Sequence, residues 1–217
     1  MIVSQNLFGD EVVAKSYRAI RHDVVRGKQK RSDASINHPV EKSSQIKRVL
    51  NDFEYEEIRK PKILELFAGD GFLTNVYAEY GDVTAFDKKL GTGDSFKEYH
   101  RLIADNKKFD VVDLDPYGFP TRFFPDIFLL IDRGILFVTC PIPSVNILHD
   151  ITKTHLFSYF GNDNPTIDQI TKSIALSGLC HWRKVTEIES IKMDRMWRIA
   201  YLVEKIKATE YTGVRNR

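Results

Sequence analysis

The sequence is poor in cysteine and contains no long apolar run. Its two cysteines, Cys140 and Cys180, exclude a disulfide framework and match no metal-ligand spacing, so we predict no metal site. No window has the length and apolar character of a membrane span, and the N-terminus lacks the charged and apolar regions of a signal peptide. We therefore expect a cytoplasmic protein in a reducing environment, with no membrane partner.

Charge is nearly balanced over the chain but not along it. The 217 residues carry 32 Lys and Arg against 30 Asp and Glu. Between Lys15 and Arg48, however, ten basic residues stand against three acidic ones, and residues 25–35 have the polar, aperiodic composition of a loop. This basic segment is either a solvated arm or an arm that contacts nucleic-acid phosphates. We predict a nucleic-acid partner through residues 15–48.

The most informative stretch runs from Lys62 to Tyr80. Its first part, Ile63–Phe67, is typical of a buried strand, and Phe72–Tyr80 has apolar residues at helical spacing. Between them lies Ala68-Gly69-Asp70-Gly71, a turn whose glycines allow a ligand to approach the backbone closely. A strand, a glycine turn and a helix in this order predict a nucleotide-like ligand at the carboxyl end of the strand.

Two acidic residues follow at positions that suit this ligand. A second strand, Asp82–Asp87, ends 18 positions beyond Gly69, where dinucleotide-binding folds place an acid on the ribose hydroxyls. Asp87 could instead cap the next turn. Asp94 is a good N-cap for a helix over Ser95–Asp105, and its alternative role is contact with the edge of an adenine.

A third strand, Phe109–Asp115, leads into Pro116 and Tyr117. An acid at a strand end, followed by a rigid proline and an exposed aromatic residue, suits a planar group that stacks on Tyr117 and donates hydrogen bonds to Asp115. A helix over Phe123–Asp132 and a central strand over Ile135–Cys140 come next.

The C-terminal part predicts a helix and a hairpin after an irregular segment. Residues 142–165 include the aromatic cluster Leu156–Phe160, which belongs to a substrate-facing loop or packs under the sheet. A helix over Thr166–Ser177, capped by Thr166 or Asn164, is expected to end at Gly178. Trp182–Ile191 and Met196–Lys205 alternate as the strands of an antiparallel hairpin.

These elements predict a doubly wound, Rossmann-like α/β sheet that ends in an antiparallel β-hairpin. We expect a basic arm and helix over residues 1–60, the α/β domain over 61–207 and a polar tail over 208–217. The closing hairpin resembles that of the class I S-adenosylmethionine (SAM) methyltransferases. Only 21 residues separate Asp87 from Phe109, so the third strand of that fold is expected to be shortened or missing.

Three motifs resemble those of this superfamily. One of them is Asp87, which resembles the acid that holds the SAM ribose. Glu65–Gly71 is similar to the first motif, E/D-x-F/G-x-G-x-G, and Asp115-Pro116-Tyr117 resembles the D/N-P-P-Y/F motif of enzymes that methylate exocyclic amino groups, without its second proline. Asp113–Pro120 and Gly134–Cys140 look most like the tRNA guanine-N2 dimethyltransferases. Those enzymes also carry a large C-terminal domain, and we expect this sequence to correspond to their catalytic domain only. The likeness covers residues 62–140.

The resemblance implies SAM as cofactor and an exocyclic amine of a base in RNA or DNA as methyl acceptor. Asp115 and the Pro116 carbonyl would accept the N–H groups, and Tyr117 would stack on the base. The cofactor would be bound by Glu65, Phe67, Ala68, Gly69, Asp70, Gly71, Asp87, Lys88, Asp94 and Asp113.

Three alternatives remain open at this stage. Cys140 follows a threonine, as does the nucleophile of RNA cytosine-C5 methyltransferases, although their companion motif needs a cysteine at Tyr117. Burial as a small apolar residue is the simpler role for Cys140. The domain could also bind SAM or nucleic acid without catalysis, or methylate a protein or a small molecule.

Overall fold

The structure, a computed structural model, describes residues 3–5, 11–13, 38–53, 59–143 and 150–207. The chain divides into two compact units, Met1–His38 and Pro39–Arg217. In the first unit, β1 (Val3–Gln5) pairs antiparallel with β2 (Glu11–Val13), which the sequence analysis did not predict. The loop predicted over residues 25–35 and the tail 208–217 lie outside the described residues.

The second unit is built on a six-stranded sheet. Its strands stand in the spatial order β4-β3-β5-β6-β8-β7. The four strands β3 to β6 are parallel, and β8 runs antiparallel to both β6 and β7. The predicted Rossmann-like sheet with a closing hairpin is thereby confirmed. The strands are β3 (Lys62–Leu66), β4 (Asp82–Phe86), β5 (Val111–Leu114), β6 (Arg133–Pro141), β7 (Arg183–Met193) and β8 (Met196–Lys205).

The expected loss of one strand is also confirmed. Residues 87–110, which the structure describes in full, contain one helix and no strand between β4 and β5. As a result, β4 forms one edge of the sheet.

Helices cover both faces of the sheet. They are α1 (Pro39–Asp52), α2 (Phe72–Tyr77), α3 (Ser95–Ala104), α4 (Asp150–Phe160) and α5 (Ile167–Cys180). On one face, Ile46, Val49 and Leu50 of α1 pack in a buried cluster with α2 and the central strands. On the other face, α3 and α5 pack with two short 3-10 turns. Helix α1, assigned to the N-terminal arm from the sequence, thus belongs to the α/β unit.

The prediction of a helix over Phe123–Asp132 is wrong. The chain forms two 3-10 turns instead, Pro120–Arg122 and Ile127–Leu130. Pro125 disfavours the α conformation at the residue before it, Phe124, near the start of the predicted helix. Most of its apolar side chains are buried, so packing against the sheet determines the backbone path.

At the C-terminal half, the structure decides between two open alternatives and moves the end of one predicted helix. Leu156 lies fully buried in α4, and Tyr159 and Phe160 pack on the core, so this cluster packs under the sheet rather than forming a substrate-facing loop. Helix α5 is capped at Thr166 as predicted but runs past Gly178 to Cys180. A Cβ at Gly178 would lie 2.3 Å from Cγ2 of Val185, so this glycine serves close helix–strand packing rather than helix termination.

Candidate functional site

The glycine turn after β3 is tied to the neighbouring strand β4. The backbone N–H groups of Phe67 and Ala68 donate to the carbonyl oxygen of Phe86 at 3.0 and 3.1 Å. Phe67, Gly69 and Gly71 all have positive φ, at 69°, 57° and 79°. This conformation is uncommon for a residue with a Cβ, so Phe67 is held in an unfavourable backbone geometry at the start of the turn.

Asp87, at the end of β4, bridges two loops. Its Oδ2 accepts a hydrogen bond from the Gly69 amide at 3.0 Å, and its Oδ1 accepts one from the Lys89 amide at 2.7 Å. The carboxylate therefore caps its own turn, as one interpretation held, and also fixes the glycine turn. It is half-buried and lies between the carboxyl ends of β3 and β4.

Asp94 acts as the N-cap of α3. Its Oδ1 accepts from the amides of Phe96 and Lys97 at 3.0 and 3.3 Å. Its Oδ2 lies 2.8 Å from Nζ of Lys88, and this hydrogen bond lowers the pKa of Asp94. The capping role is confirmed, and contact of Asp94 or Lys88 with the cofactor stays a prediction. Asp70 is exposed in the glycine turn.

A buried ion pair lies beneath this edge of the sheet. Asp113 of β5 and Arg198 of β8 have no exposed surface, and two hydrogen bonds join them at 2.7 and 3.0 Å. The Tyr77 hydroxyl donates to Oδ2 of Asp113 at 2.7 Å, and Arg198 donates to Oγ1 of Thr139 at 2.9 Å. Both oxygens of Asp113 are thus bonded inside the protein. This geometry favours a structural role over the direct cofactor contact predicted for Asp113.

Glu65 is the neighbour of this pair, directly opposite Asp113 across the β3–β5 ladder. Its side chain is buried and accepts a hydrogen bond from Oγ1 of Thr74 at 2.5 Å. Burial, followed by the negative charge of Asp113, raises the pKa of Glu65 to about 8. At neutral pH its carboxyl group is therefore mainly protonated.

The segment Asp115-Pro116-Tyr117 follows β5 at the same edge of the sheet. Asp115 is part-buried, and its Oδ2 lies 2.5 Å from Nζ of Lys42, whose side chain is 3% exposed. Tyr117 is 76% exposed, and Gly118 follows with a φ of 95°. The aromatic ring is thus available to a stacking partner beside the part-buried carboxylate.

Sequence reasoning missed the two cations, Lys42 and Arg198. A signal for each is present. Lys42 lies on the apolar stripe of α1 with Gln45, Ile46 and Val49, and Arg198 stands within the apolar strand β8. A charged residue on a face that is otherwise apolar implies a buried partner.

The strand order brings the predicted residues together. Strand β3 lies between β4 and β5, so its glycine turn lies between Asp87 and Asp115 at the carboxyl edge of the parallel strands. Ligands of open α/β sheets bind at this edge.

Cys140 lies apart from this chemistry. It is 1% exposed, and burial raises the pKa of its thiol to about 12. A thiol in this state is a poor nucleophile, which argues against the cytosine-C5 alternative.

Among the described residues, no group of three or more His, Cys, Asp or Glu side chains is arranged to hold a metal ion. In the same part of the chain, no helix is long and apolar enough to cross a membrane.

Comparison with known proteins identifies the fold. No family model matches the sequence, and no curated protein matches it significantly. Among solved structures, Trm1 from Pyrococcus horikoshii in complex with S-adenosyl-L-methionine matches with a TM-score of 0.50 and 17% identity. The match covers 83% of this chain and 57% of that one. The sheet order and this match show the class I SAM-dependent methyltransferase fold.

Two further solved structures match with lower TM-scores. Magnesium protoporphyrin IX methyltransferase from Synechocystis PCC 6803, with bound SAH, has a TM-score of 0.49, 15% identity and coverage of 81% of this chain and 88% of that one. M. jannaschii TYW2 in complex with AdoMet has a TM-score of 0.43 and 15% identity, and the match covers 77% of this chain and 76% of that one.

Proposed function

We propose that this protein transfers the methyl group of SAM to an exocyclic amino nitrogen of a nucleobase in RNA or DNA. The observation that carries the proposal is the placement of the glycine turn between Asp87 and the Asp115-Pro116-Tyr117 segment. One side of the turn offers backbone amides and a carboxylate to a nucleoside-like cofactor. The other side offers an acceptor carboxylate and an exposed aromatic ring.

The cofactor half of the proposal rests on the glycine turn. The Asp87 carboxylate, held by the Gly69 and Lys89 amides, is fixed at the position from which it would accept hydrogen bonds from the ribose hydroxyls. Glu65, mainly protonated near pH 7, would face the methionine portion from below the turn. The SAM complex of the fold relative from Pyrococcus horikoshii supports this choice of cofactor.

The acceptor half rests on the chemistry of a conjugated amine. Methyl transfer forms an N–C bond as the C–S bond breaks, and the electron pair of that bond remains on sulfur. The amine then loses a proton. Because the amine lone pair is delocalised into the ring, acceptors that hold its N–H groups favour the pyramidal, reactive geometry and stabilise the positive charge that develops. Asp115 and the Pro116 carbonyl would be these acceptors.

A nucleobase fits the exposed ring of Tyr117. Stacking on an aromatic side chain is a common way to hold a base that is single-stranded or flipped out of a duplex. The basic segment 15–48, which includes part of α1, provides the charge for phosphate contact. The sequence resemblance to tRNA guanine-N2 dimethyltransferases makes RNA guanine the first acceptor to test, and adenine N6 the second.

The test is transfer of tritiated methyl groups from SAM. The full chain is incubated separately with tRNA, duplex DNA, single-stranded DNA and a protein extract, and the label retained by each polymer is counted. Asp115→Ala should lower transfer by about 10²-fold or more, as loss of a transition-state hydrogen bond does, while calorimetry shows nearly unchanged SAM affinity. Asp82→Ala, at an exposed site at the start of β4, is the matched control.

Three other results would change the conclusion. Label on the protein extract alone would overturn the nucleobase acceptor. SAM binding that Asp87→Ala abolishes, without label on any polymer, would indicate a small-molecule acceptor or a non-catalytic binding domain. Failure to bind SAM would overturn the proposal as a whole.

A further inference from the structure

Three acidic side chains lie at the C-terminal ends of strands β3 and β5, and two cations form ion pairs with two of them. Arg198 is paired with Asp113, and Lys42 with Asp115. Glu65 is the third carboxyl and is mainly protonated at neutral pH, because its pKa is about 8. The two cations thus balance two carboxylates. Lys42 is the cation paired with Asp115.

Lys42 is fixed in place by its helix. Its side chain is 3% exposed, and α1 is anchored on the sheet by the buried residues Ile46, Val49 and Leu50. Gln45 adds polar contacts at 3.4 Å to the carbonyl oxygens of Glu189 and Arg198. A lysine on such a helix reaches Asp115 from a defined direction.

The ion pair engages one oxygen of the carboxylate. Nζ of Lys42 donates to Oδ2 of Asp115 at 2.5 Å, and among the described residues no hydrogen bond to Oδ1 is found. The terminal torsion of aspartate is broad, so an unpaired carboxylate rotates with little cost. A bond to one oxygen removes this freedom and directs the second oxygen along one line.

We propose that Lys42 is a positioning residue for the methyl acceptor. It holds Oδ2 of Asp115, so that Oδ1 is presented to the amine in a fixed direction, and α1 is therefore part of the acceptor site. This inference rests on the proposed function. Lys42 acts on the amine through Asp115 alone. Misplacement of a reacting group by about 1 Å can cost on the order of 10²-fold in rate.

The test compares two variants of α1 and one control variant in the full chain, with SAM and the polymer that wild type methylates. Lys42→Met removes the charge and the donor at similar length, and Lys42→Gln keeps an N–H donor. Lys172→Met is the matched control, because Lys172 is an exposed lysine of helix α5 and lies outside the basic segment 15–48. Measurements are kcat, KM for the polymer, SAM affinity and melting temperature.

We expect Lys42→Met to lower kcat by about 10²-fold, with SAM affinity within twofold of wild type. Lys42→Gln should retain more activity than Lys42→Met, and Lys172→Met should match wild type. In an Asp115→Ala background, which keeps the Pro116 carbonyl as acceptor, Lys42→Met should add little further loss, because residues that act through one another are not additive.

Several outcomes would overturn the inference. A folded Lys42→Met variant with wild-type kcat removes the positioning role, and so does a further full loss in the Asp115→Ala background. If Lys42→Met does not fold, Lys42→Ala, which also lacks an N–H donor, takes its place, and a folded Lys42→Ala variant with wild-type kcat has the same meaning. If the wild-type protein binds SAM but labels no polymer, the proposed function itself is overturned. This result differs from a wild-type protein that labels a polymer and a Lys42→Met variant that does so equally well, which overturns only the positioning role.

Discussion

At the scale of single residues, three carboxyl groups of similar sequence context have three different states. Glu65 is buried and mainly protonated near pH 7, Asp113 is sealed in an ion pair, and Asp115 is paired but part-exposed. The sequence identified all three as site residues because each stands at a strand end. It could not separate their roles, because their cations lie 73 and 85 positions away along the chain.

Glu65 should make the stability of the protein depend on pH. Its pKa is raised from 4.5 to about 8, so the folded state binds this proton more tightly than the unfolded state does. The contribution of Glu65 to the free energy of unfolding is therefore fully present below about pH 4.5. It is lost as pH rises to about 8, by up to about 1.4 kcal/mol per pH unit in that window. Urea unfolding of Glu65→Gln across this range should show a flatter pH profile than wild type.

Glu79→Gln is the control for this measurement, because Glu79 is exposed on the surface. It should leave the pH profile of wild type unchanged. A Glu65→Gln profile with the slope of wild type would show that Glu65 is not the group responsible.

At the scale of elements, prediction succeeded where the local pattern and the packing agree. The strands β3, β4 and β6 are apolar runs bounded by glycine, aspartate or proline, and the structure forms them within two residues of the predicted bounds. It failed where tertiary contacts override the pattern. The segment Phe123–Asp132 has apolar residues on most sides, and Gly178 carries the signature of a helix end while serving a helix–strand contact.

Gly178→Ala should destabilise the protein through this contact. An added Cβ would lie 2.3 Å from Cγ2 of Val185 and 3.1 Å from the carbonyl oxygen of Arg183, so β7 or α5 must move. Overpacking of this kind costs about 1–3 kcal/mol, although alanine is the better helix former. Thermal and urea unfolding measure the loss.

The second variant for this prediction is Val185→Ala, which removes Cγ2. The combination Gly178→Ala/Val185→Ala should be more stable than the sum of the two single changes predicts, because the clash is relieved. If the stability losses of the two single variants simply add in the double variant, the loss in Gly178→Ala does not come from the contact with Val185.

At the scale of the whole molecule, the sequence predicted the class of sheet and the missing strand. The spacing between Asp87 and Phe109 was sufficient for the second prediction, since it holds one helix and no more. The position of α1 could not be predicted in the same way. Its apolar stripe shows that it packs on something, but only the fold shows that it covers the same face of the sheet as α2.

The Asp113–Arg198 pair joins β5 to β8 and should be sensitive to the loss of either partner. Arg198→Met leaves a buried carboxylate without its cation, which typically costs about 3–5 kcal/mol in the free energy of unfolding. Adding Asp113→Asn should recover part of this loss, because the amide is uncharged and can still accept from the Tyr77 hydroxyl. Urea unfolding measures both changes.

Arg48→Met provides the comparison, because the Arg48–Glu189 pair is largely exposed. Its loss should cost less than about 1 kcal/mol. Equal losses for Arg198→Met and Arg48→Met would contradict the importance assigned to the buried pair.

The position of β8 has a consequence for the order in which the molecule can be assembled. Proteins are synthesised from the N-terminus, and β8 follows every other described strand in the sequence, yet it lies inside the sheet between β6 and β7. A growing chain therefore holds Asp113 without its cation, and Gln45 without its contact on Arg198, until residue 198 has left the ribosome. The carboxyl edge of the sheet reaches its final form only then, so premature termination before β8 should yield chains without a completed site.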